Sequence, residues 1–388
     1  MDLRITKNDT IKLPISKKYI EEDVNITVEV PIPEEYIVPE GTLDITENGE
    51  YNVTEKASVN VNIKSSGSGE DMLQARVDVD NNCDYLFYNY GGHTIDFIKN
   101  LDTSKVTSMD YMFSGCNLIA IPEIDMTNVI SATYMFQNCK LLESVSLKNT
   151  NKVQDFSNAF YNCFYVDNIK GLDTSSMTKC ASMFVSCYAL KEIPTPFNTS
   201  KCTSLSSLFL GCYEITSIPN IDTSNVTTFY RTFDTCYKLE TIPEIDTSKV
   251  NTMRSAFYNC SVLNNLPQLN TDLVTNFGET WCKCYCLEKI DITSMDKVTI
   301  SNNTGSMCQA CHSLTKFIIR NMTVIPALNS NSFLNCYHFT GTVDDKYNPD
   351  GLKDGRIYVP DDWVETIKVA TNWSIHADII VPLSTLEE

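Results

Sequence analysis

Residues 247–269 read TSKVNTMRSAFYNCSVLNNLPQL, and the rhythm of this stretch decides the fold. Val250, Met253, Phe257 and Cys260 stand at i, i+3, i+7 and i+10, the spacing of one face of a short helix. Leu263, Leu266 and Leu269 follow at intervals of three around Pro267, which suits a short strand and a bend better than a second helix. The stretch therefore predicts a helix-plus-strand unit with one apolar side. Such a unit cannot bury that side alone and needs a like neighbour on each flank.

The neighbours are present. Aromatic-x-x-Cys recurs with cysteines at Cys116, Cys139, Cys163, Cys187, Cys212, Cys236, Cys260, Cys284, Cys311 and Cys336, at spacings of 23 to 25 residues and one of 27. The slot three before each cysteine is Phe, except for Trp281 and Cys308. Apolar pairs follow three and six residues after it, as in Leu190 and Ile193, Ile215 and Ile218, Leu239 and Ile242, or Leu287 and Ile290. Seven before the aromatic the residue is again apolar, as at Val106, Val129, Val153 and Val226. The expected fold is an α/β solenoid of about ten units over residues 101–339, with parallel strands on one side and helical turns on the other.

Outside the repeat the character changes. Residues 1–64 alternate Ile, Val and Thr, broken by Pro31, Pro33 and Pro39, and are expected to form a small all-β domain. Within it, Asn48-Gly49 lies between two alternating runs of GTLDITENGEYNVTEKASVNVNI (41–63) and predicts a hairpin. Its apolar face, Ala57, Val59, Val61 and Ile63, needs a partner, and a homotrimer would supply one. SSGSGE (65–70) has linker composition. Residues 71–100 and 340–388 are expected to cap the two ends of the stack, with Asp361 or Asp362 capping a helix through Trp363, Ile367 and Ala370, and a last strand near 379–381.

The chain has 388 residues, a net charge of −19 and a pI near 4.6, which argues against nucleic acid or an anionic membrane as partner. No run reaches the roughly 18 apolar residues of a membrane span, and the N-terminal residues have no apolar signal-peptide core or lipid-anchoring cysteine. The sixteen cysteines do not read as a disulfide framework. Ten hold the repeat's core position, and Cys180, Cys202 and Cys308 fill other apolar slots, so these are expected to be buried, reduced thiols.

The phrases LDTSKVTSMDYMFSGC (101–116), IDTSNVTTFYRTFDTC (221–236) and IDTSKVNTMRSAFYNC (245–260) resemble the BspA-like leucine-rich repeat family. That resemblance implies a leucine-rich-repeat fold used for adhesion or recognition, with no catalytic residues to carry over. GTLDITENGEYNVTEKASVNVNI is similar to segments of structural proteins of tailed bacteriophages, and the C-terminal IYVPDDWVETIKVATNWSIHADIIVPLSTL resembles the terminal cap of the same repeat proteins. Together these imply a virion or tail-fibre surface protein. Residues 1–64 would contact other virion proteins, and the repeats would meet a bacterial surface protein or glycan. The rival expectations are a BspA-like adhesin on a bacterial cell and a purely structural capsid or tail decoration.

Three constellations have residue types that could carry chemistry. Asp102, Asp125, Asn149, Asp173, Asn198, Asp222, Asp246 and Asn270 recur eleven residues before the aromatic. They are placed to cap backbone N–H groups, a role that needs one oxygen per unit, whereas Ca²⁺ needs six to eight converging ligands. Cys282, Cys286, Cys308 and His312 are the one set with metal-ligand character, but Cys308 already has a core slot and C-x-C-x-C is not a zinc knuckle, so no metal or cofactor is expected. An aromatic row one residue after the repeat cysteine, including Tyr188, Tyr213, Tyr237, Tyr285 and Tyr337, would suit contact with a protein or glycan, or simply cover the core edge. Beside it, the residues four and five after cysteine, such as Lys191, Glu240 and Glu288, change from unit to unit, as a recognition face or a solvated face would. His93, His312, His338 and His376 share no motif with a nucleophile, and no enzymatic activity is expected.

Overall fold

The computed structural model describes residues 82–93, 95 and 103–387, together with the backbone of strands at 10–13, 20–28, 41–45, 49–52, 59–66, 77–78 and 101–102. The chain divides into two compact units, Met1–Met177 and Thr178–Glu388.

In the first unit, β1 (Thr10–Leu13), β2 (Ile20–Val28), β3 (Gly41–Ile45), β4 (Gly49–Asn52) and β5 (Val59–Ser66) precede the repeat. The strands on either side of Asn48-Gly49 do not make the expected hairpin. β3 pairs in parallel with β5, and β4 pairs antiparallel with β1. A turn signal specifies a hairpin only if its two flanks are each other's best edge, and here each has a non-local partner. The remainder of the expected all-β domain, and residues 67–70 of the expected linker, lie outside the described residues. β6 (Val77–Asp78) and β7 (Leu101–Asp102) pair in parallel, and β8 (Ala120–Asp125), β9 (Ser144–Lys148) and β10 (Asn168–Lys170) form a parallel sheet in the order β10-β9-β8. In the second unit β11 (Lys289–Ile292), β12 (Lys316–Ile319), β13 (Arg356–Val359) and β14 (Ile380–Pro382) stack in parallel in chain order.

Each repeat is one turn of a β-solenoid. In the turn at 247–269, Val250, Met253, Phe257, Cys260, Leu263, Leu266 and Leu269 are all buried, as their spacing requires. The aromatic slot forms a continuous stack within each unit: Phe87, Phe113, Phe136 and Phe160 at 5.2–5.5 Å between ring centroids in the first, and Phe184, Phe209, Phe233 and Phe257 at 5.6–5.7 Å in the second. Residues 82–90, placed within the cap by their sequence, coil in the same way. Phe87 stacks on Phe113, and Asn82 bridges Ser108 in parallel.

The expected repeat helix is absent from the described turns, and this corrects the α/β assignment to a β-solenoid. Residues 254–259 form a run of turns in which Ser255 and Asn259 take φ of 54° and 58°, the left-handed region that a right-handed helix excludes. The N–H groups of Met253, Ser255, Phe257 and Asn259 point to the next turn and donate to Asn276, Gly278, Thr280 and Cys282 at 2.7–3.0 Å. Those of Ala256, Tyr258 and Cys260 close back onto the carbonyl three residues earlier. A helix would satisfy its donors internally beyond the first turn. This backbone instead sends alternate donors to its neighbour, and so needs stacking to be satisfied at all. Alternating the hand of the backbone compresses the chain enough to bury residues three and four apart, which is why the pattern resembles a helical one.

The far end of the second unit carries two short helices, α1 (Tyr337–Thr340) and α2 (Val364–Lys368). Neither Asp361 nor Asp362 caps α2, which begins behind a 3-10 turn at Asp361–Trp363 with no side-chain cap bond. Asp361 instead accepts the N–H of Ser384 at 3.0 Å. The indole of buried Trp373 donates to the carbonyl of Pro326 at 2.9 Å.

Candidate functional site

Three ladders of hydrogen bonds recur from turn to turn within the units. The first explains the cysteine. Between successive turns the thiols of Cys116 and Cys139 donate to the carbonyls of Phe87 and Phe113, and in the second unit those of Cys212, Cys236, Cys260 and Cys284 donate to Phe184, Phe209, Phe233 and Phe257, all at 2.8–3.1 Å. Burial pushes the Cys236 and Cys284 thiols up, so each stays protonated and able to donate.

The second and third ladders explain the Asp-Thr-Ser phrase. Asp173, Asn198, Asp222, Asp246 and Asn270 each accept the N–H two residues on, at 2.8–3.2 Å. They cap tight turns rather than helices. Asn149 differs: its backbone is left-handed and its amide donates to Asp125 and Thr127. The following threonine is buried, and at Thr103, Thr199 and Thr247 its hydroxyl ties one turn to the next by donating to the carbonyls of Asp125, Asp222 and Asn270.

The aromatic row is real but is turned on its edge. In the second unit Tyr188 stacks on Tyr213 at 4.4 Å, and Tyr237 lies against Tyr213 at 4.8 Å. Farther along, Tyr285, His312 and Tyr337 stack at 4.8 and 4.1 Å, with Tyr347 edge-on to His312 at 4.9 Å. His312 occupies the tyrosine slot, a membership the sequence offers through its place directly after Cys311. Its Nδ1 is buried without a partner, and burial holds its imidazole below the ordinary range. Because the rings cover one another's faces, the row offers edges and phenol hydroxyls to solvent, a line of hydrogen-bond donors and acceptors rather than stacking platforms.

Next to this row, Lys191, Glu192, Thr216, Ser217, Glu240, Thr241, Asn264, Asn265, Glu288 and Lys289 are all exposed, between buried residues at three and six after cysteine. The backbone beneath them is paired turn to turn, with Glu240 N–H donating to Thr216 at 3.0 Å and Asn264 N–H to Glu240 at 3.1 Å. The result is a column in which the backbone repeats and the side chains do not.

Cys282 and Cys308 are buried and Cys286 is half-buried, while His312 is held in the aromatic row. Among the described residues no group of three or more His, Cys, Asp or Glu side chains could hold a metal ion. Burial pushes the Cys282 and Cys308 thiols up to about 11. Sequence reasoning missed two ion pairs built on buried carboxylates, Arg320 with Asp291 at 2.6 Å and Arg231 with Asp234. Arg231 Nε donates to Asp234 Oδ2 at 2.7 Å, while Oδ1 of this buried carboxylate finds no partner. Burial pushes the Asp234 carboxyl up against the pull of Arg231. Nothing in the repeat spacing marks position 234 as buried, because its equivalents include Ser114, Tyr258 and Leu334. Among the described residues no helix is long and apolar enough to cross a membrane.

The family model described as "Mycoplasma protein of unknown function, DUF285" matches residues 81–195, 154–243, 189–285 and 229–345, overlapping stretches that run from 81 to 345. No curated protein matches the chain. Solved structures similar to it include a leucine-rich repeat protein from Eubacterium ventriosum, at 17% identity over 60% of this chain with a TM-score of 0.35. The chain spans 62% of that protein's length. A leucine rich cell surface protein from Faecalibacterium prausnitzii is 18% identical, with 88% of this chain and 86% of that one covered and a TM-score of 0.32. A leucine-rich repeat protein from Bacteroides ovatus is 16% identical, with 65% and 80% covered and a TM-score of 0.28.

Proposed function

This chain belongs to the family described as Mycoplasma protein of unknown function, DUF285, and we propose that it is a non-catalytic recognition or adhesion protein displayed at a bacterial cell surface. The observation that carries this reading is the column beside the aromatic row. Five successive turns of the second unit share buried slots three and six after cysteine, with Thr216, Glu240 and Asn264 linked backbone to backbone, yet present Lys191-Glu192, Thr216-Ser217, Glu240-Thr241, Asn264-Asn265 and Glu288-Lys289 to solvent. A frame held constant under a side-chain pattern that changes at each step suits binding, because affinity and specificity can vary without touching the core. The partner is a surface protein or glycan, met by mixed charges, amides and the adjacent tyrosine hydroxyls. Each contact is weak, and many displayed copies would raise the overall avidity.

The virion reading rests on the resemblance of residues 41–63 to phage structural segments. In it, residues 1–64 seat the chain on a particle, with trimerisation as one route. The two carriers are separated by peptide mass spectrometry of washed cell envelopes against density-purified phage particles. Recovery in envelopes supports the cell-surface adhesin; recovery in particles at stoichiometric abundance transfers the same recognition role to a virion.

Binding itself is tested with the labelled full-length chain on intact bacterial cells, read by flow cytometry. The triple variant Lys191→Glu, Glu240→Lys, Glu288→Lys should bind severalfold less while its thermal midpoint stays that of the parent. Equal binding by parent and variant would remove the column from the recognition role.

A further inference from the structure

Two cysteines outside the ladder lie against each other. In the turns between 101 and 281, the slot four before the aromatic is otherwise Met, Ala, Leu or Phe, and the slot seven before it is otherwise Val or Met. Cys180 fills the first slot in one turn, and Cys202 fills the second slot in the next. Both are buried, and Cys180 Sγ donates towards Cys202 Sγ at 3.7 Å. The carbonyl of Ser204 is a second acceptor for Cys180, also at 3.7 Å. The ladder thiols, in contrast, aim at carbonyl oxygens at 2.8–3.1 Å. Two independent replacements of apolar residues by cysteine, in adjacent turns and at touching slots, form a dithiol that packing alone does not call for.

We propose that Cys180 and Cys202 are an oxidation site, a dithiol that a small peroxide closes to a disulfide joining two successive turns of the folded solenoid. This inference is independent of the recognition role and would hold for either carrier. Hydrogen peroxide is close to water in size and reaches the pair through local opening of the turns. The hydrogen bond from Cys180 favours the thiolate of Cys202, and the same bond holds the Cys202 thiol below its ordinary range. The Cys202 thiolate attacks one peroxide oxygen, the O–O bond breaks, and the departing hydroxide takes up a proton as water, leaving a sulfenic acid. The Cys180 sulfur then attacks the Cys202 sulfur. The S–S bond forms as the S–O bond breaks, and the second hydroxide leaves as water with the Cys180 proton. Two electrons pass from the two sulfurs to one peroxide, which becomes two waters. The sulfurs must close from 3.7 Å to about 2.05 Å, within reach of side-chain rotation and a small shift between turns. The crosslink would hold these two turns in register when the coil frays, because each turn is otherwise tied only to its neighbours.

The test treats the reduced full-length chain with hydrogen peroxide under native conditions, quenches it by unfolding in an alkylating agent, and maps peptides by mass spectrometry. The expected product is two hydrogens lighter, has lost two of its sixteen thiols and yields one linked peptide pair joining 180 to 202. Dithiothreitol should reverse the link, and the oxidised chain should unfold at a higher temperature than the reduced one. Cys180→Met and Cys202→Val install residues that other turns use at those slots, so each variant should fold and show no such link. Alkylation of both residues after peroxide treatment, or linkage of another pair while these two stay reduced, would overturn the proposal.

Discussion

The thiol of Cys236 donates to the carbonyl oxygen of Phe209, one turn back, at 3.1 Å, and the same oxygen receives the N–H of Cys212 at 3.0 Å. The carbonyl has two lone pairs, and only a small side chain with a donor, arriving from the next turn, fills the second. Cysteine is small, apolar and able to donate, which explains its recurrence better than hydrophobicity alone.

Replacing Cys236 by Ala should therefore remove a sulfur from a packed core and leave a buried carbonyl one bond short, at a cost of about 1–2 kcal/mol. Urea unfolding should show this as a lower midpoint at unchanged slope. In the folded parent the half-buried Cys286 should alkylate before Cys236, which is fully buried.

The threonine ladder offers a paired comparison. Thr247 donates to Asn270 at 2.7 Å, whereas the buried hydroxyl of Thr223 has no partner. Thr247→Val should cost about 1 kcal/mol. Thr223→Val breaks no bond and should be neutral or stabilising. Equal losses in thermal unfolding would locate the cost in shape and not in the hydroxyl.

Acid should loosen the turns capped by aspartate. The hydroxyl and N–H of Ser248 hold the Asp246 carboxyl below its ordinary value of 3.8. With the folded value depressed, the stabilisation is complete above the unfolded value and is lost as pH falls from about 4 through the folded value. Asp246→Asn keeps an acceptor, as Asn198 and Asn270 do naturally. It should retain the turn near neutrality and flatten this part of the acid limb of a stability–pH curve, whereas Asp246→Ala should destabilise at every pH.

At the end of the second unit, burial lowers His376 from 6.5 to about 4, with Asp378 pulling up and Lys353 pulling down. Its ring meets Phe333 edge-on at 5.2 Å, and Nε2 has no partner. Between pH 6.5 and 4 the unfolded chain binds the proton that the folded one refuses, so stability is full above 6.5 and falls through this window. The loss approaches a size on the order of 3 kcal/mol below pH 4. His376→Phe should abolish the fall, as read by thermal midpoints across pH.

The tyrosine row separates packing from recognition. Tyr213 lies between Tyr188 and Tyr237. Tyr213→Phe keeps the stacking and should leave stability within about 0.5 kcal/mol of the parent, while reducing cell binding if the hydroxyl edge contacts the partner. Tyr213→Ala should lower stability and binding together.

Much of the coil is legible in the sequence. The interval between cysteines marked the turns, and Leu263 and Leu266 marked the strand side. Asp246 announced a capped turn, although the capped element is not a helix. The sign that would have corrected the helix was also present: Asn138, Asn158, Asn162 and Asn259 occupy left-handed positions, and asparagine tolerates that region better than most residues. Tyr111, Arg231 and Glu279 sit in equivalent left-handed positions and conceal the signal.

The sequence by itself determined the repeat length and which apolar side chains of the repeat are buried, because both follow from apolar spacing along one chain. Only the tertiary structure decided that the aromatic segment is a run of alternating turns, that Cys236 has an acceptor on Phe209, that His312 completes a tyrosine row and that Cys180 meets Cys202. Each of these depends on a partner one turn, 22 to 27 residues, away, and spacing within a single turn does not say what the adjacent turn brings into contact.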